Sequence, residues 1–249
     1  MLTGVLSAAF GIGGATLSTP GVRVLGVSAL DAVGTTLPSI LPSAVAGAAR
    51  YWREGLVDWG LVATTAPVGA AMAVLGSLLA HEVPGDGHWL MVATAVMLAL
   101  VAIRLVRGSP VVAGGRSAQR SGRGSLVART GIGAASGLLS GLLGVGGGAI
   151  LLPGFLQVLR LPTKEAVATS LACVGILAIP GTITHAFLGG INWRVAGLLA
   201  VGVVPGARLG VAATLRASER RVRLAVSAFM GALALFYGGS ELRAAVDRD

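Results

Sequence analysis

The chain has 249 residues, 54% of them apolar and only 12% charged, with a mean hydropathy of +0.84. A soluble domain carries about 25% charged residues because its surface faces water, so that class is excluded. The net charge of +9 rests on 19 basic residues, all arginine except Lys164, which sit mostly in loops between apolar runs. A positive-inside topology explains that placement, whereas a nucleic-acid partner would need a basic face on a folded soluble module.

In chain order, apolar blocks fall at about 2–26, 30–49, 56–80, 89–106, 126–160 (interrupted), 166–190, 195–215 and 222–242. Several reach the ~20 residues that a helix needs to cross a bilayer. They are too long and too uniformly apolar for the alternating strands of a membrane barrel. The expected class is all-α, a polytopic transmembrane helical bundle. No charged region precedes Leu2 and the apolar sequence runs on, so a cleavable leader is not expected. The stretch 108–125 is rich in Gly, Ser and Arg and reads as a cytoplasmic linker between a first repeat, 1–107, and a second, 126–249.

The two halves match in order. Phe10–Gly21, F-G-I-G-G-A-T-L-S-T-P-G, aligns with Leu143–Gly154, L-G-V-G-G-G-A-I-L-L-P-G. D-A-V-G-T-T-L at Asp31–Leu37 aligns with E-A-V-A-T-S-L at Glu165–Leu171, and G-L-V-D-W at Gly55–Trp59 with G-G-I-N-W at Gly189–Trp193. The offset is 133 residues at the glycines and 134 thereafter, the mark of an internal duplication such as many secondary transporters carry. Around the second glycine cluster, about Gly131–Leu143 and Ala149–Leu159 are each too short to span and suit the arms of a re-entrant hairpin, with Pro153 in the first turn of the second arm. A hairpin plus three spanning helices per half gives an odd number of crossings, which inverts the second half. This arrangement puts 14 basic residues on one side and 4 on the other, against 11 and 7 if the hairpins cross fully. The positive-inside rule therefore favours two inverted repeats, with both termini outside the cytoplasmic membrane.

Candidate binding residues follow from this layout. Broken backbone at membrane depth survives only where it is buried in protein or lines a cavity. Gly13, Gly14, Gly146, Gly147 and Gly148 allow such a break and a close approach to a ligand. Helices restarting near Ala15 and Ala149 would aim amide hydrogens at the same place, an anion site without a formal charge. The plain alternative is close packing of helices through small residues. The paired hydroxyls Thr35, Thr36 and Thr169, Ser170, with Ser39 nearby, can donate to anion oxygens or bond back to their own helix. Arg208 is the one basic residue deep inside a predicted span and is a candidate anion contact.

Catalytic readings are thin. The glycines lack the strand–helix setting of a dinucleotide fingerprint. Ser136 and Ser140 with His185 as base lack the surroundings of a nucleophile. His81, Glu82, Asp86 and His88 have no metal-site spacing, and the single cysteine, Cys173, reads as a small packing residue. Neither an enzyme, a cofactor nor a metal is expected.

The chain resembles the sulfite exporter TauE/SafE family, also called the toluene sulfonate uptake permeases. The resemblance rests on G-x-G-G-[AG]-x-x-x-x-P-G in each half, the A-V-G-T-T-L and A-V-A-T-S-L stretches, and the following D-W and N-W, and it covers about residues 4 to 243. Ala15 stands where the second cluster has Gly148. Membership implies a multi-pass permease of the bacterial inner membrane moving sulfite or an organosulfonate, and no enzymatic activity. The expected partners are a small anionic substrate and the lipid bilayer. An anion channel, import of another organic anion and assembly as a homodimer are left open by the sequence.

Overall fold

The computed structural model describes residues 1–24, 29–82, 96, 103, 122–143 and 146–246. The helices are α1 (Leu2–Phe10), α2 (Ala15–Val24), α3 (Ala29–Arg53), α4 (Trp59–Glu82), α5 (Gly122–Leu143), α6 (Gly148–Pro153, continued by a π-turn over Gly154–Val158), α7 (Thr163–Phe187), α8 (Trp193–Arg216) and α9 (Glu219–Val246). Among the described residues there is no strand. Among the described residues, four stretches are long and apolar enough to cross a membrane: Ala32–Arg53, Trp59–Ala80, Thr163–Phe187 and Trp193–Arg216. The chain is thus an all-helical, multi-pass membrane protein. Apart from residues 96 and 103, the block at 89–106 lies outside the described residues, as does most of the linker.

Two expectations change. The helix leading to the second glycine turn starts at Gly122, four residues inside the stretch read as linker, and is 22 residues long rather than a 13-residue half-helix. Glycine weakens a free helix. Here Gly133, Gly137 and Gly141 lie directly against the α4 backbone at Thr65, Gly69 and Ala73, so packing sustains the helix. Pro153 closes α6 instead of sitting in its first turn, and the backbone widens into the π-turn immediately after it.

The repeated D-W and N-W dipeptides start α4 and α8. Asp58 Oδ1 accepts from the Leu61 amide at 3.0 Å and Asn192 Oδ1 from the Val195 amide at 3.3 Å, so each caps the helix that follows. Trp59 and Trp193, the first residues of these helices, are exposed, as interfacial anchors are.

Neighbouring residues fix the helix directions. Leu37 meets Gly181, Ala44 meets Gly175 and Gly47 meets Leu171, so the equivalent helices α3 and α7 run antiparallel. Thr65 meets Gly133 and Ala73 meets Gly141, so α4 and α5 run parallel. Met1 meets Gly206 and Val5 meets Gly210, so α1 and α8 run parallel as well. Beyond the glycines the chain doubles back: Gly147 lies by Ser136 and Gly154 by Ile132, returning α6 along α5. The pairing is reciprocal between halves. Gly4 packs on the Val203 carbonyl as Gly137 packs on the Gly69 carbonyl, and Gly210 on that of Val5 as Gly76 on that of Leu138. A Cβ at any of these would strike backbone, which is why these interfaces need glycine.

Candidate functional site

The two glycine turns meet in the centre of the bundle. Gly11, Gly13, Gly146 and Gly147 all have positive φ, between 65° and 88°, where a side chain is disfavoured. A Cβ on Gly148 would run into the Ile12 backbone, and one on Gly13 would lie 3.7 Å from the Gly146 carbonyl. Ile40 from α3 faces Gly146, and Val174 from α7 faces Gly13. These two apolar residues occupy matched positions of the repeat, and both lie against Gly146. Gly13, Gly14, Gly146, Gly147 and Gly148 are all buried.

Helices restart at Ala15 and Gly148, close to the expected places. The amides there are not all bare. Gly148 donates to the Gly146 carbonyl at 2.9 Å, and Ile150 and Leu151 donate to that of Gly147 at 3.1 Å. The Gly148 amide is therefore used inside its own turn.

The hydroxyls, all fully buried, divide into two uses. Thr35 accepts from the Asn192 amide at 3.0 Å, and Thr169 accepts from the Asp58 amide at 3.1 Å. These bonds are equivalents across the repeat: each ties a helix of one half to the loop before a helix of the other. Ser170 donates to the Gly11 carbonyl at 2.7 Å and so holds the end of α1. Thr36 bonds back to Ala32 and Val33 and lies 3.0 Å from Thr19, while Ser39 bonds back to Thr36. Structure thus engages these groups, although a hydroxyl that accepts still has a proton to donate.

The end of α1 is buried, and its carbonyls need partners away from water. The Gly11 amide takes that of Ser7 at 2.9 Å, Tyr51 Oη takes Ala8 at 2.9 Å, and Thr214 Oγ1 takes Ala9 at 3.0 Å. On the other turn, the Ser136 hydroxyl donates to the Gly147 carbonyl at 2.8 Å. That bond gives Ser136 a structural task in place of a nucleophile's. His185 is fully buried in the last turn of α7, beside Gly34.

Arg208 is not brought to the glycine turns. It is exposed and lines a groove of about 640 Å³ with Arg50 and Arg53 between α3 and α8. Asp86 and His88 fall outside the described residues, and no group of three or more metal-ligating side chains occurs among those described.

Sequence reasoning passed over Ile12, Ile40, Val174, Tyr51 and Thr214. For Ile40 and Val174 the signal was present: they are 134 residues apart, the offset of the repeat. Tyr51 has no such signal, since its equivalent is His185.

The chain is similar in sequence to several membrane transport proteins. A probable membrane transporter protein of Xylella fastidiosa (strain Temecula1) is 29% identical over 227 residues, covering 88% of this chain and 84% of that protein. One of Bacillus subtilis is 25% identical over 241 residues, covering 92% and 93%. One of Methanocaldococcus jannaschii is 23% identical over 254 residues, covering 94% and 91%. No solved structure shows a significant match. The sequence model described as sulfite exporter TauE/SafE matches residues 1–237, and the chain, a membrane transport protein and not an enzyme, belongs to that family.

Proposed function

We propose that the chain is a secondary carrier that exports a small sulfur-containing anion, sulfite or an organosulfonate, across the cytoplasmic membrane. The observation that carries this reading is the meeting of two matched glycine turns, each between helix ends, at the centre of a membrane bundle. Half-helix ends facing one another near the midplane are how transporters of this build hold an anion. The candidate contacts are Gly13, Gly14, Gly146 and Gly147 with the remaining donor capacity of the Thr35 and Thr169 hydroxyls, which accept and so keep a proton to give. The antiparallel course of α3 and α7 supports an inverted repeat. The return of α6 along α5 supports a re-entrant hairpin, entering and leaving on the arginine-rich side.

The buried glycine centre fits a closed state. Access requires the two hairpins to part, moving Ile40 and Val174 away from the turns, and rocking of one half against the other does this. Export needs little coupling, because each negative charge leaving a cell at ~100 mV gains about 2.3 kcal/mol.

Counterflow in proteoliposomes tests the proposal. Labelled sulfite should exchange against sulfite on the far side, faster than net flux. Simple electrodiffusion would replace the carrier with a channel, and absence of flux for sulfite and every sulfonate tried would sink the substrate class.

A further inference from the structure

The groove between α3 and α8 has no role in a central site. Its walls carry Arg50, Arg53 and Arg208, and its floor is made of Val45, Ala46, Ala49 and Ala212. No acidic side chain lines it among the described residues. Arg50 shares its charge with Glu54 at 2.9 Å on the open surface, while Arg53 and Arg208 have no ion pair among the described residues.

Depth decides what such a groove can hold. Thr35 lies at Asn192 and Gly47 at Val211, so α3 and α8 run parallel and all three arginines belong to one side of the bundle. Arg53 ends α3, whereas Arg208 lies eight residues before Arg216, the end of α8. At 1.5 Å per residue that is about 12 Å further into the span. A guanidinium exposed on the outer face at that depth faces acyl chains and needs a negative partner. Its long stem lets it reach toward the interface, where Arg50 and Arg53 already stand. Val45 in the groove and Leu209, next to Arg208 in the chain, are both exposed and offer apolar surface suited to a fatty chain.

We propose that this groove binds an anionic phospholipid, with the headgroup phosphodiester held among Arg50, Arg53 and Arg208 and an acyl chain along Val45, Ala49 and Ala212. Guanidinium forks match phosphate oxygens, and basic pockets between spanning helices on the arginine-rich side are where anionic headgroups collect. The apolar floor and the depth of Arg208 select a lipid over a free anion. The bound lipid would bridge one helix from each half.

The test uses the full chain in neutral detergent, titrated with phosphatidylglycerol, phosphatidylcholine or inorganic phosphate and read by native mass spectrometry and thermal unfolding. Phosphatidylglycerol should stay bound and raise Tm, and the other two should not. R53Q/R208Q should retain the lipid roughly tenfold or more weakly, because each basic group near the surface contributes to anionic lipid binding. R194Q, which removes an exposed arginine at the other end of α8, should leave retention unchanged. Should the double variant fail to fold, A49L keeps every charge and fills the floor, and it too should lower retention. Equal retention of phosphatidylcholine, equal protection by inorganic phosphate, or undiminished retention in A49L would overturn the proposal.

Discussion

At the scale of the residue, single hydroxyls hold the two halves in register. Removing the Thr35 hydroxyl strands the Asn192 amide, and removing that of Thr169 strands the Asp58 amide. A buried donor left without a partner costs about 1–3 kcal/mol. Thr35→Val and Thr169→Val should therefore lower thermal stability in detergent by similar amounts. A large inequality between them would show that the two bonds are not equivalent. These partners were not legible in the sequence. The T-T and T-S pairs stood out by recurrence, but their acceptor role depends on loops 157 and 111 residues away, which no local pattern announces. Arg208 shows a related limit: hydropathy gives its depth along the helix but not which way it faces.

Glycine contact decides matters at the scale of the element. Gly210 packs on the Val5 backbone, while Gly197, on the same helix, has open space where a Cβ would stand. Gly210→Leu should force α1 from α8 and cost several kcal/mol or prevent folding, as overpacking does at about 1–3 kcal/mol even in softer cores. Gly197→Leu should be close to neutral, and the pair measured by thermal unfolding separates packing from helix propensity. Tyr51→Phe should cost about 1–3 kcal/mol, by leaving the buried Ala8 carbonyl without the hydroxyl that satisfies it. At this scale the sequence was informative about the breaks and poor about the arms. Matched glycines told where α2 and α6 begin. The start of α5 was hidden because Gly122 to Ser125 has the composition of a loop.

For the whole molecule, transport by rocking halves requires the centre to open. Ile40 and Val174 both lie against Gly146, one from each half. With the native Cys173 replaced by alanine, a short thiol cross-linker joining Ile40→Cys to Val174→Cys should arrest sulfite counterflow. A cleavable linker should restore it. Unimpeded flux through the linked protein would show that the centre does not open between these helices. The fold class and the duplication were open to reading from composition and matched segments. The relation between halves could be read only indirectly, from the arginine tally that favoured inversion, because helix direction itself is a property of contacts rather than of patterns.

The crossed bonds of Thr35 with Asn192 and Thr169 with Asp58 have a historical consequence. Neither half can close both fastenings alone, since each owns one latch and one keeper. On the inverted-repeat reading proposed above, a shorter ancestor bearing a single copy would have had to embrace a twin inserted upside down, and fusion of the two genes would have made that embrace permanent. Severed at the linker and co-expressed, the two pieces should still find each other.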